Sequence, residues 1–334
     1  MVERVKNASP YLLILVLVFL LIVFNFWSSK VRADDVGTSV DVGNSAPTIG
    51  AISINGGSNI TLVEGTTVDI MVSASIADAN GCNDVRNEGG VKAIVYLYNE
   101  QNASCSQDNN NCYDEDIASC SWQSTTGNTC SYECTASSAM YYYADPTVTG
   151  GGTASKADEE WAVTVIASDS YWEDVTSNSW DPGTSGSTSV EVALLLGLDV
   201  SAGSSNSIDY DEGGTLSADS ESSTLERGVK NTGNRPMDPL IAAAQDNALC
   251  TDYSTCAGGV ITAAHQQFSN VTFSMDSGTS LSASNQTLDL ELPQKTDDTG
   301  ASESDDQIFW ALYVPAGQAV GAYTGTNTYT AAAD

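Results

Sequence analysis

Val68-Asp69-Ile70-Met71-Val72-Ser73-Ala74-Ser75-Ile76 alternates apolar and polar or flexible residues. An extended strand turns successive side chains to opposite faces, so Val68, Ile70, Val72, Ala74 and Ile76 share one face. Asp69, Met71, Ser73 and Ser75 take the other, which reads as solvated. Downstream, Trp161, Val163 and Val165 alternate with Ala162, Thr164 and Ile166 in the same way. Further β-branched or alternating runs span 48–54, 59–63, 91–98 and 189–196. Beyond them lie 198–201, 224–230, 237–243, 267–273, 287–292, 308–314 and 322–331. Clusters of Gly, Asn, Asp and Ser separate these runs, and helical periodicity is almost absent after the N-terminus. Short strands punctuated by turn residues predict an all-β protein with facing sheets. The expected architecture is two antiparallel β-sandwich domains in series, Ig-like or jelly-roll-like, after an N-terminal hydrophobic signal helix.

The segmentation follows composition. Residues 1–33 carry Arg4 and Lys6, then an apolar run from Leu12 to Phe24, then Val31-Arg32-Ala33 before Asp34-Asp35. That is the order of a secretory signal with a cut after Ala33. An uncleaved signal anchor is the competing reading, since the run from Tyr11 to Trp27 is near the lower limit of about 17 residues for a bilayer span. Residues 34–46 form a low-complexity linker. Residues 47–195 read as an Ig-like sandwich interrupted by a cysteine-rich insertion at 99–140, too poor in aliphatic residues for its own core. Residues 196–334 read as the second sandwich. The junction Val192-Ala-Leu-Leu-Leu-Gly-Leu-Asp-Val is short and apolar, so a stiff connection is expected. Asn231-Thr-Gly-Asn marks a tight turn, with Gly233 or Asn234 suited to positive φ.

Charge narrows the partners. The 334 residues hold 43 Asp and Glu against 11 Lys and Arg, a net charge of −32. Four of those bases (Arg4, Lys6, Lys30, Arg32) precede residue 34. The few scattered bases beyond cannot displace counterions from phosphates, so nucleic acid is excluded as a partner, as is an anionic membrane surface. Membrane contact is expected only through the N-terminal segment, if it is retained. Cys82, Cys105, Cys112, Cys120, Cys130, Cys134, Cys250 and Cys256 all follow the signal, and an even number in an exported chain predicts disulfides. Cys130 and Cys134 have finger-like spacing, but no second pair and no nearby His completes a zinc site. Cys250 and Cys256 stand apart and most simply pair together; the other six leave their pairing open. Beyond the signal, four glycosylation sequons, at Asn59, Asn102, Asn270 and Asn285, are compatible with a surface location.

Some residues resemble known modules. Asn59-Ile-Thr-Leu-Val-Glu-Gly-Thr-Thr followed by Asp78-Ala-Asn-Gly-Cys-Asn-Asp resembles the Ig-like or cadherin-like domains of secreted archaeal and bacterial cell-surface proteins. The second half, with Val229-Lys-Asn-Thr-Gly-Asn-Arg-Pro, Trp310-Ala-Leu-Tyr-Val-Pro-Ala-Gly and Gly321-Ala-Tyr-Thr-Gly-Thr-Asn-Thr, is similar to exported β-sandwich domains. Its Asn-Thr-Gly-Asn turn also resembles TasA-like extracellular fibre subunits. The resemblance implies secretion, a sandwich fold and a surface role, and it carries no catalytic residue across.

Candidate sites are few. Asp78, Asn80 and Asp84 sit in one Gly81-containing loop after a predicted strand, and Asp169, Glu173 and Asp174 follow a later one. In an Ig-like sandwich these loops share a pole, so Asp78, Asn80, Asp84, Asp169 and Asp174 are the candidate calcium ligands. Solvated Asx turns are the bland alternative. Tyr141-Tyr142-Tyr143, Tyr171, Trp172 and Trp180 either stack on sugars or fill a core; Trp161 and Trp310 read as core. No catalytic residue is identified: Gly-x-Ser-x-Gly, phosphate-cradling and His-Glu-x-x-His motifs are missing, and His265 stands in a plain polar context. Asp297-Asp298 and Asp305-Asp306 read as solvating charge. The expected function is a non-catalytic structural or adhesive protein of the extracellular cell surface, with itself or surface glycans and proteins as partner. It is expected to be a self-assembling surface-layer or fibre subunit, and a carbohydrate-binding module is the alternative.

Overall fold

A computed structural model describes residues 10–27, 37–87, 90–98, 105, 110–113, 120–135, 139–148, 156, 159–169, 175–178, 189–200, 207–245, 249–253, 255–296 and 305–334. The chain divides into two compact units, Met1–Gly43 and Asn44–Asp334. The first contains helix α1 (Pro10–Trp27), 18 residues long. At 1.5 Å per residue it reaches about 27 Å, short of a hydrocarbon core of about 30 Å. Among the described residues no helix is long and apolar enough to cross a membrane. Residues 37–43 follow without regular secondary structure, and Val40 and Val42 are exposed.

The second unit is built almost wholly of antiparallel strands. In its first half these are β1 (Thr48–Ile54), β2 (Thr67–Val68), β3 (Met71–Ala77), β4 (Gly90–Leu97) and β5 (Cys112–Tyr113). Strands β6 (Cys120–Thr126), β7 (Thr129–Thr135), β8 (Met140–Tyr141), β9 (Trp161–Ser168) and β10 (Val175–Asn178) follow. A short helix, α2 (Cys82–Asn87), lies between β3 and β4. One sheet has the order β1-β3-β7-β6 and a second β10-β9-β4-β5; β2 pairs with β8.

The alternation in β3 is kept. Ile70, Val72, Ala74 and Ile76 are buried, whereas Asp69, Met71 and Ser73 face solvent. They meet Val91, Ala93, Val95 and Leu97 of β4 and Trp161, Val163 and Val165 of β9 in one core between the two sheets. Trp161 is fully buried and its ring lies 5.7 Å from that of Tyr113. Strand β4 is covered on both faces, because Ile94 and Tyr96 pack outside against the Cys105–Cys112 disulfide.

Within the stretch 99–140, the described residues include a hairpin that is part of a sheet as well as disulfide-bonded. This β6–β7 hairpin joins the first sheet: Met71–Ala77 of β3 pairs residue for residue with Thr135–Thr129 of β7. Cys130, Tyr132 and Cys134 supply the apolar face that aliphatic residues do not, and all three are buried. Cys82–Cys130 ties α2 to β7, and Cys120–Cys134 links β6 to β7. Those pairings rule out zinc at Cys130 and Cys134, whose sulfurs are both consumed.

The second half contains β11 (Leu198–Asp199), β12 (Ser220–Glu221), β13 (Leu225–Asn231), β14 (Met237–Ala243), β15 (Leu249–Cys250) and β16 (Val260–Ile261). It continues with β17 (Gln266–Ser269), β18 (Thr279–Ser280), β19 (Gln286–Thr287), β20 (Asp305–Val314) and β21 (Asn327–Ala333). The sheet β11-β13-β20-β17-β18, with β12 also on β20, is accompanied by the sheet β19-β14-β21 and the pair β15-β16. Val229, Met237, Ile241, Phe268, Ile308 and Trp310 form a second, separate core. Asp305 and Asp306 start β20 and are exposed; residues 297–304 lie outside the described residues.

Polar side chains weld the halves together. The buried Asn234 amide donates to the carbonyls of Ala144 (3.1 Å) and Ala193 (3.0 Å) and accepts the Leu195 N–H (2.7 Å). The amide of Gln294 reaches the Tyr143 carbonyl and Asp145, while Asn110 donates to the carbonyls of Tyr143 and Lys295. The Thr232 hydroxyl donates to the Glu64 carboxylate. Contrary to expectation, neither Gly233 nor Asn234 takes positive φ. Gly233 is required for closeness instead: a Cβ there would sit 2.3 Å from the Leu195 carbonyl oxygen.

Candidate metal centre

Sheet pairing gathers the predicted loops at one pole. Asp78 follows the end of β3 and Asp169 follows the end of β9, while Asp84 stands in the first turn of α2. Helix α2 is held by the Cys82–Cys130 disulfide and by Val85, which is fully buried. Gly81 at φ 106° lets the chain turn from Asp78 into that helix, a conformation an L side chain rarely adopts. One carboxylate oxygen from each of Asp78, Asp84 and Asp169 lies within 4.8 Å of the others. Two calcium–oxygen bonds of about 2.3–2.6 Å on opposite sides of an ion span about 5 Å, so the cluster is compatible with one cation.

The electrostatics are those of a negative pocket. Asp78 is 2 % exposed and Asp169 is 0 % exposed. The Asn80 N–H donates to Asp78 Oδ1 at 2.7 Å, while Asp78 Oδ2 is buried with no hydrogen-bond partner. Among the described residues neither Asp78 nor Asp84 forms a salt bridge, and the nearby Arg86 guanidinium instead lies over the Trp122 ring. A buried ionised carboxylate without a counter-charge is costly, and a hard cation is the natural neutraliser.

Of the sequence-predicted ligands, Asp78, Asp84 and Asp169 are brought together. Asn80 belongs to the same loop, but its Oδ1 accepts the Ser45 N–H at 2.8 Å. Asp174 and Glu173 lie outside the described residues. Sequence reasoning missed Asn44, whose amide donates to Asp169 Oδ2 at 2.6 Å and whose Oδ1 is buried without a partner. Nothing in the low-complexity linker distinguishes Asn44. The pairing Thr48↔Ala77 of β1 with β3 is what carries the linker end to the Asp78 loop.

Tyr142 and Tyr143 are buried, and the Tyr143 ring contacts those of both Tyr142 and the half-buried Tyr141. Tyr171, Trp172 and Trp180 lie outside the described residues. Trp310 is fully buried beside Phe268. The His265 Nδ1 pairs with the Thr262 hydroxyl and its ring stacks on Tyr313. Cys250 and Cys256 form the expected disulfide.

A cleft of about 890 Å³ opens in the second half, well apart in sequence from the carboxylate cluster. Val229, Ile308, Leu312, Val314 and Tyr329 form part of its wall. Burial pushes the Tyr210 and Tyr329 hydroxyls above the usual tyrosine range. At the rim, a hydrogen bond to Asp209 raises the Asp211 carboxyl, and both acids are exposed. No protein-family model matches the chain, and a search of curated proteins finds no significant relative.

Proposed function

We propose that this protein is a non-catalytic structural subunit of the extracellular cell surface, of surface-layer or fibre type. In this reading two Ig-like or jelly-roll-like sandwiches stand in series behind the N-terminal segment, and the chain polymerises with itself. Four disulfides are the chemistry of an oxidising compartment and support export. The observation that carries assembly is the edge of the second half. Strand β21 closes the order β19-β14-β21, and its Asn327 and Tyr329 border the 890 Å³ cleft. An edge strand beside an apolar groove is suited to accept a strand from another copy. Val40 and Val42, exposed and two residues apart, have the spacing such a strand needs to present one apolar face. A calcium ion at Asp78, Asp84 and Asp169 is part of this reading, stiffening the first sandwich.

Purified protein is expected to form ordered assemblies visible by electron microscopy and light scattering, and Val40→Asp with Val42→Asp is expected to prevent them. Protein that stays strictly monomeric with and without calcium overturns the assembly. A shift in thermal midpoint between millimolar calcium and chelator tests the ion. At a hundredfold excess over Kd, binding stabilises the fold by about 2.7 kcal/mol.

A further inference from the structure

The geometry points to a role for the cation in holding the N-terminal linker: Asn44 Oδ1 joins Asp78, Asp84 and Asp169 as a ligand, so calcium clamps the chain where it enters β1. This rests on the calcium reading above. Two observations carry it beyond an acidic cluster. Asp78 Oδ2 is a buried oxygen without a hydrogen-bond donor, in a residue 2 % exposed, and its carboxylate belongs to the 4.8 Å cluster. Asn44 Oδ1 is equally without a donor, yet the same amide is fixed by its Nδ2 on Asp169 Oδ2 at 2.6 Å. An amide anchored through its nitrogen to one ligand of the cluster presents its carbonyl oxygen beside it. Carbonyl and carboxylate oxygens together are the donor set calcium accepts, with six to eight required and water able to complete the shell.

The mechanical consequence follows from the neighbouring bonds. Ser45 N–H is held by Asn80 Oδ1, and Asn80 N–H by Asp78 Oδ1. A cation on Asp78 therefore orders the acceptor that grips Ser45 while coordinating Asn44 directly. Without it, three carboxylates repel one another and the linker is released.

Calcium chloride titrated into the full-length chain in detergent micelles, followed by calorimetry and by hydrogen exchange of the peptide covering 44–48, tests this. Wild type is expected to bind calcium and to slow exchange of that peptide by at least tenfold over chelator. Asn44→Ala is expected to weaken binding about tenfold and to make exchange indifferent to calcium. Asn44→Asp, which restores an oxygen, is expected to recover both. If Asn44→Ala binds with wild-type affinity, or Asn44→Asp behaves like Asn44→Ala, the clamp is overturned while the three-carboxylate site stands. If wild type binds no calcium, the site itself falls, and the clamp with it.

Discussion

At the scale of single residues, a few buried polar groups matter as much as the apolar ones. Asn234 makes three hydrogen bonds to backbone of the other half, and removing it deprives the buried Ala144 carbonyl and the half-buried Ala193 carbonyl and Leu195 N–H of that partner. An unsatisfied buried group costs roughly 1–3 kcal/mol, so Asn234→Ala is expected to destabilise by about 3 kcal/mol in urea unfolding. Trp161 is fully buried and also donates its Nε1–H to the Asp145 carbonyl at 3.0 Å. Trp161→Ala is expected to cost about 3–5 kcal/mol, with a thermal midpoint lowered accordingly. The burial of Trp161 was readable from its place in an alternating run. That of Asn231 and Asn234 was not, because an Asn-Thr-Gly-Asn string reads as an exposed turn. Their amides are buried because the turn is inserted against Leu195 and Gly197, a contact no local pattern encodes.

At the scale of elements, disulfides and hairpins divide the labour. The Cys82–Cys130 bridge closes a loop with a sequence separation of 48, and Cys250–Cys256 one of 6. Loop-closure entropy assigns them about 4 and about 2 kcal/mol respectively. Replacing the first pair by serine is therefore expected to lower the denaturation midpoint more than replacing the second. In the loop between β15 and β16, Asp252 accepts the Thr255 hydroxyl and the N–H groups of Gly258 and Ala257. The Thr255 bond foremost, and then the Gly258 N–H, hold its carboxyl below the usual range. A folded value lower than the unfolded one contributes stability above the unfolded value and loses it as pH falls through the folded value. An NMR titration is expected to show the Gly258 amide shift turning below about pH 3.9, the unperturbed aspartate value; a midpoint at or above that value removes the assignment. The strands β1, β3, β4 and β9 were legible as β-branched or alternating runs, and β3 buries one regular face. The β6–β7 hairpin was not, since its buried face is made of Cys130, Tyr132 and Cys134, residues that also suit a disulfide-rich loop.

At the scale of the whole molecule, charge and welding set behaviour. A net charge of −32 disfavours the compact state through self-repulsion, which salt screens over a Debye length of about 10 Å at 0.1 M. The thermal midpoint is expected to rise between 0.02 and about 0.5 M sodium chloride in the presence of chelator, and a flat profile counts against this. Composition and periodicity alone determined that the chain is acidic, disulfide-bonded and all-β, because charge, cysteine count and two-residue alternation are local and need no partner strand. Which loops meet at a pole, which asparagines are buried between the halves, and that Asn44 reaches Asp169 were decided by tertiary structure alone. Antiparallel register carries residues more than a hundred positions apart into contact, and that register depends on the sum of side-chain packing across the sheets rather than on any segment.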